Sequence, residues 1–373
     1  MLIGLKGSAK QSTEYKPEFF RLKNVNDQDR LRKLLLDRPA IQIYDTIESQ
    51  LSELAKINNP HKALNAEELK VFIQTYLNGQ SIENIGVWVY YSWSEKLVHL
   101  LDEEDYIKIR TNRNLYKITP AELAILRQKR IGIIGLSVGQ SIAITIATER
   151  ICTELRLADF DTIELGNMNR LSNVNVYNLG ASKAITTAQK IAELDPYIKV
   201  TCWPEGINEN NIDAFMGDNA GKLDVLVEEC DSLEIKILAR IKAKQKRIPV
   251  IMDTNDKGML DIERFDLEPN RPILHGKVDG LEALPAQQLL TTLRTLSIED
   301  KVRYLTQIIG VENVSAEMMA SLPEMRKTIT GWPQIASAVT LGGAMITDTC
   351  RRILLNKFNA SGRYFIHFND LII

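Results

Sequence analysis

A glycine turn and an acid 24 residues beyond it are the pair of features best placed to do chemistry. Residues 130–140 read Arg-Ile-Gly-Ile-Ile-Gly-Leu-Ser-Val-Gly-Gln, an apolar strand, a turn and a helix start. In that turn Gly135 permits a sharp reversal, Ser137 is small enough for close approach, and Gly139 opens the helix. A helix start offers free N–H groups and a positive dipole end to phosphate. Asp159 ends the next apolar strand, where an acid accepts hydrogen bonds from ribose hydroxyls. The dinucleotide fingerprint is G-x-G-x-x-G, and here only Gly135 stands in register, with Ser137 and Gln140 in the other two places. By itself the turn fits any nucleotide, or a plain strand-to-helix reversal. Turn, spacing and acid together favour nucleotide binding.

Such a site needs a large scaffold. The chain has 373 residues, 45% hydrophobic and 25% charged, enough for a sizeable core and for two domains. A net charge of -2 offers no basic field for nucleic acid. The four cysteines, Cys152, Cys202, Cys230 and Cys350, form no CxxC pair, so neither a structural zinc nor a disulfide framework is expected. No apolar run has the length of a signal peptide or a membrane span, and a cytoplasmic setting is the default expectation.

The elements follow from periodicity. Residues 1–25 are polar and irregular, and a helical pattern begins at Asp27. After Pro39, Ile43, Ile47, Leu51 and Leu54 draw one helical face. Asn65, with Glu68 three residues on, has capping-box spacing. Residues 87–93 and 97–101 read as a hairpin whose aromatics, Trp88, Tyr90, Tyr91 and Trp93, serve a small sheet more readily than they stack on a base. His99 has no partner histidine at ligand spacing and reads as structural. From Arg130 the rhythm becomes β-α-β-α, with strands at 130–134, 155–158, 198–203, 224–229, 249–252, 259–265 and 364–367 and a long helix at 335–355. Apolar strands alternating with helices imply a Rossmann-like, doubly wound, mostly parallel sheet with helices on both faces. The expected domains are an N-terminal α+β extension, 1–104, and a nucleotide domain, 105–373, carrying a helical insert at about 279–330.

Past the second strand the sequence becomes specific. Asp159-Phe-Asp161 is followed by Asn167-Met-Asn169-Arg170, then by Gly180-Ala-Ser-Lys183-Ala, then by Val227-Glu-Glu-Cys-Asp231. This order and spacing resemble the ThiF/MoeB superfamily, which includes the ubiquitin-activating enzymes. Upstream, Arg110-Thr-Asn-Arg113-Asn resembles that family's R-x-x-R-Q segment, and the resemblance covers roughly 105–373. It implies ATP-dependent adenylation of a C-terminal carboxylate on a ubiquitin-like or sulfur-carrier protein or a peptide. Gly135, Ser137, Gly139, Asp159, Asp161, Asn167, Arg170 and Lys183 then bind the nucleotide. Arg113, Arg170, Lys183 and Asp231 serve the reaction, Arg113 by reaching across a homodimer and Asp231 by holding Mg²⁺.

The residue types suit that chemistry. A carboxylate is a nucleophile at neutral pH, so the protein must supply positioning and positive charge around the triphosphate rather than a base. No cysteine lies between Cys230 and Cys350, where thioester-forming relatives carry their nucleophile, so the resemblance implies a reaction that stops at the acyl adenylate. Two other readings stand beside it: an NAD(P)- or FAD-dependent oxidoreductase on the same fold, and a binding module that has lost catalysis.

Overall fold

The computed structural model describes residues 11–371, apart from 279, 280, 282, 283 and 285. Part of the expected helical insert therefore lies outside the described residues. The chain forms two compact units, one made of Ser12–Leu123 with Ala192–Tyr197, the other of Ala124–Ile191 with Ile198–Ile373.

The smaller unit holds a four-stranded sheet of β1 (Glu18–Phe20), β2 (Gln42–Asp45), β3 (Val87–Tyr91) and β4 (Lys96–Leu100), in the order β1-β3-β4-β2. The expected hairpin is β3–β4, antiparallel from Val87 opposite Leu100 to Tyr91 opposite Lys96. Trp88, Tyr90 and Tyr91 are buried, and Trp88 stacks on the buried His99 ring at 4.2 Å. Helices α1 (Val25–Asp37), α2 (Ile47–Asn58), α3 (Ala66–Leu77) and α4 (Glu103–Thr111) complete the unit, and α5 (Pro120–Leu126) leads out of it. Asn65 and Glu68 form the reciprocal capping box at the start of α3, both bonds at 3.0 Å.

Two expectations fail here. Residues 18–20 are a strand rather than irregular, because Phe20 is needed in the core beside Trp88 and Leu97. Ile43 is exposed on β2, not on a helical face, and the helix begins only at Ile47. Asp45 breaks the run: its Oδ1 accepts the Ile47 N–H at 3.2 Å and lies 3.0 Å from His99 Nδ1. Parallel pairing of β2 with β4 overrides the local periodicity.

The larger unit is the Rossmann-like α/β domain. Its sheet contains β5 (Arg130–Ile134), β6 (Glu154–Ala158), β7 (Lys199–Trp203), β8 (Val225–Glu228), β9 (Val250–Thr254), β10 (Met259–Glu263) and β11 (Gly362–Phe365). The order is β11-β10-β9-β8-β5-β6-β7, parallel from β9 to β7 and antiparallel at β10 and β11. The helices are α6 (Gly139–Glu149), α7 (Lys183–Leu194), α8 (Ile212–Met216), α9 (Leu233–Lys246), α10 (Ala286–Thr295), α11 (Ile298–Ile309), α12 (Ala316–Ser321), α13 (Ala336–Leu354) and α14 (Phe368–Leu371). Leu289 and Leu293 of α10 and Ile308 of α11 enter one apolar core with Phe215, Ile237 and Leu226. That core docks the insert onto the sheet. Among the described residues no helix is long and apolar enough to cross a membrane.

Helix α13 comes close because two glycines let it. A Cβ at Gly342 would stand 2.3 Å from Asp253 Oδ2, and one at Gly343 would stand 2.5 Å from Ser141 Oγ. Gly342→Ala should therefore cost about 1–3 kcal/mol of stability in chemical denaturation, as overpacking does. Gly331→Ala, at a position with open space, should leave the midpoint nearly unchanged.

Candidate active site

The turn after β5 is built around one carboxylate. Gly135 has φ +88°, and a Cβ there would lie 2.7 Å from the Glu229 carbonyl, so glycine is required on both counts. Asp159 is buried; its Oδ2 accepts the Leu136 N–H at 2.6 Å and its Oδ1 accepts the Asp161 N–H at 2.8 Å. Burial pushes the Asp159 carboxyl above the usual range, while the two N–H bonds and the Lys183 charge oppose that. Each oxygen keeps a further lone pair for a hydroxyl. Helix α6 then starts at Gly139 with no side-chain cap, leaving its first N–H groups without intrahelical partners.

Lys183 opens α7 and turns back under this loop. It is only 3% exposed, and its ammonium donates to Ser137 Oγ and to Asp161 Oδ2, each at 2.8 Å. The Lys183 N–H also donates to the Asp161 carbonyl at 3.0 Å, which ties the start of α7 to the loop after β6. Asp161 itself is exposed. Arg170 donates through Nη1 to Asn169 Oδ1 at 2.9 Å, while its Nε is buried with no hydrogen-bond partner. Burial lowers the Arg170 pKa, and the Asp231 charge opposes this. Asn167 uses its Oδ1 to accept the Glu164 N–H at 3.1 Å, within its own turn. Asn169 Nδ2 donates to the Gln334 carbonyl at 2.7 Å.

Asp231 follows β8. Its carboxyl is raised by desolvation, with Lys236, Arg170 and Lys183 pulling it down. Arg170, Lys183 and Asp231 thus act on one another within one region of the unit. Among the described residues no group of three His, Cys, Asp or Glu side chains could cage a metal. A lone carboxylate still suits Mg²⁺ held chiefly by phosphate oxygens. Arg113 is exposed in a short turn, Asn112–Asn114, of the smaller unit.

The sequence reading missed a cavity of about 260 Å³ bordered by Val138, Glu229, Asp231, Met252 and Asp253 and roofed by α11, α12 and the 332–334 segment. Asp253 is 5% exposed; its oxygens accept no N–H or hydroxyl bond and lie against Gly342, with the Glu229 carboxyl as their side-chain neighbour. Burial pushes its carboxyl up to about 7, despite opposing effects from Glu229 and Lys236. Glu229 is also raised by burial, and its Oε1 accepts the Asp253 N–H at 3.0 Å. A signal existed: an aspartate closes an apolar strand, at the carboxyl edge where open α/β sheets bind ligands. Cys230 also borders the cavity, but burial pushes its thiol well up, away from a reactive thiolate.

An acid whose folded pKa lies above its ordinary 3.8 binds a proton the unfolded chain has released. The resulting stability loss is absent below pH 3.8, grows as pH rises and is complete above about 7. Asp253→Asn should therefore raise Tm more at pH 8 than at pH 4. An equal change at both values in thermal melts would contradict the assignment.

Comparison with known proteins bears on this region. Residues 110–259 match the model of the ThiF family. The uncharacterized protein MT1398 of Mycobacterium tuberculosis is 37% identical over 344 residues, covering 91% of this chain and 44% of that protein. Adenylyltransferase and sulfurtransferase MOCS3 of Drosophila virilis is 26% identical over 100 residues, 27% of this chain and 21% of that protein. The chain thus spans less than half the length of these curated relatives. The crystal structure of PaaA shares the fold at 17% identity and a TM-score of 0.50, covering 73% of this chain and 82% of that one.

Proposed function

This chain belongs to the ThiF/MoeB-type superfamily through residues 110–259, and on that premise we propose that it is an ATP-dependent adenylyltransferase acting on a carboxylate. The acceptor is the C-terminal carboxylate of a ubiquitin-like or sulfur-carrier protein or of a peptide, and the reaction stops at the acyl adenylate. One observation carries the reading. A buried ammonium, Lys183, is held on the glycine turn by Ser137, and a second cation, Arg170, keeps a buried Nε without a partner. That places two positive charges beside the glycine turn and the strand end, Lys183 paired with Asp161 and Arg170 near Asp231, where a phosphate would add to or replace those partners. The name of MOCS3, an adenylyltransferase, points the same way.

The chain's own groups divide the work. The α6 N–H groups and Lys183 receive phosphate oxygens, with Ser137 holding the ammonium in place. Asp159 and Asp161 face the ribose, and Asn167 flanks them. Arg170 neutralises the charge that builds as pyrophosphate leaves. Asp231 would hold the Mg²⁺ that accompanies ATP, and the ion would supply further charge neutralisation at the phosphates. The carboxylate attacks the α-phosphorus, forming the acyl–phosphate bond as the bond to pyrophosphate breaks. Arg113 completes the charge set across a homodimer.

Magnesium ATP should raise Tm by mass action, and a larger shift with NAD would favour an oxidoreductase instead. Lys183→Ala and Arg170→Ala should each cut ATP–pyrophosphate exchange about 100-fold or more. Full exchange in both variants would remove the site assignment. Arg113→Ala should regain exchange in mixed dimers with Lys183→Ala, and a strictly monomeric protein would defeat the role given to Arg113.

A further inference from the structure

The cavity beside the glycine turn has walls that a nucleotide does not need. Met252, Leu305, Ile309 and Met318 line it, and Met319, Leu322 and Trp332 border it with apolar surface still exposed. Exposed apolar side chains gathered around one cavity mark an interaction site. Polar side chains at the border hold partners of their own. Lys236 gives its ammonium to both Glu228 oxygens, at 2.9 and 3.1 Å. Asp256 accepts the Ser315 N–H at 2.8 Å, and Thr254 Oγ1 donates to the Asp256 carbonyl at 2.9 Å. Asp253 is shut off against Gly342 and Glu229. The amide oxygens of Asn255 and Gln334 lack partners but are closed to a water-sized group. What the cavity offers a ligand is therefore chiefly apolar surface. Its volume, about 260 Å³, exceeds the roughly 150 Å³ of an apolar cavity that already takes a benzene ring. Val138 of the glycine turn and Asp231 also border it.

We propose that this cavity is the specificity pocket for the residue whose carboxylate is adenylated, and that this residue carries a large apolar side chain, of leucine or methionine size. The substrate class is then a peptide or protein that ends in such a residue rather than in glycine. Contact with Val138 and Asp231 makes the pocket continuous with the place of reaction, so the side chain that fills it belongs to the reacting residue itself. A terminal glycine would leave the apolar walls in water. A terminal residue with a carboxyl or amide side chain would give up its hydration and find no free partner. The substrate assignment rests on the adenylation reading, whereas the apolar pocket does not.

Two measurements on the full chain separate them. Both use N-acetylated dipeptides that begin with glycine and end in glycine, alanine, norvaline, norleucine or glutamate. In isothermal titration calorimetry without nucleotide, affinity should rise about fourfold with each methylene added from glycine to norleucine. The glutamate peptide, close to norleucine in length, should bind no better than the glycine one. In ATP–pyrophosphate exchange, kcat/KM should rise along the same series. Met318→Trp and Leu305→Trp, which fill the cavity, should each flatten both series. A flat binding series in the unaltered chain, or glutamate bound as well as norleucine, overturns the pocket. So does an undiminished slope in either variant when it still melts cooperatively. A rising binding series without any binding of magnesium ATP removes the adenylation reading and leaves the pocket standing. Exchange that proceeds equally well with the glycine and norleucine peptides keeps the adenylation reading and removes the pocket's role as its specificity determinant.

Discussion

The site rests on the Asp159 carboxylate. It is buried where β5 and β6 end, and its two oxygens hold the N–H groups of Leu136 and Asp161. Taking a carboxylate out of water is unfavourable, and two charge-assisted bonds to backbone offset it. They also fix geometry. The Leu136 bond sets the glycine turn and hence the start of α6. The Asp161 bond sets the loop that receives Lys183. Ser137, Asp161 and Lys183 are positioned through one of these two arms. Asp159 thus serves architecture first, and a ribose contact would use its remaining lone pairs.

A second set of charges organises the neighbouring strand ends. Glu228 is fully buried with Lys236 and Arg240, and Arg240 also reaches Glu263. Burial alone would raise the Glu228 carboxyl, but its two cations hold it down at about 2. Its Oε1 also accepts the Cys230 N–H at 2.9 Å, which orients the turn that presents Asp231. Removing one member of such a buried set costs about 3–5 kcal/mol, because an uncompensated charge remains. Here the set serves to place a loop.

Asp253 on the adjacent strand β9 is the counterexample. Two buried carboxylates sit on neighbouring parallel strands, and their surroundings drive them in opposite directions, about 2 for Glu228 and about 7 for Asp253. One has its cations and the other has a second acid, Glu229, as its neighbour. Two acids buried side by side, Glu229 and Asp253, are costly to ionise together.

Much of this was legible in the chain. The apolar run of β5, the turn from Gly135 to Gly139, and the order Asp159, Asn167, Arg170, Lys183, Asp231 together specify a Rossmann-like sheet and a nucleotide edge. Strand periodicity and turn chemistry are local, so sequence carries them. Ile43 was misplaced because its strand exists only by pairing with β4, a partner more than fifty residues away. Whether Lys183 was one more surface lysine or a buried ammonium on Ser137 was likewise a matter of folding. The cavity was least legible. Met252 and Asp253 of β9, Met318 of α12 and Trp332 meet only when the insert packs back over the strand ends. Sequence determined which groups could meet a nucleotide; tertiary structure decided which acid kept its cations and which was buried beside another acid, because burial and pairing are properties of the packed chain.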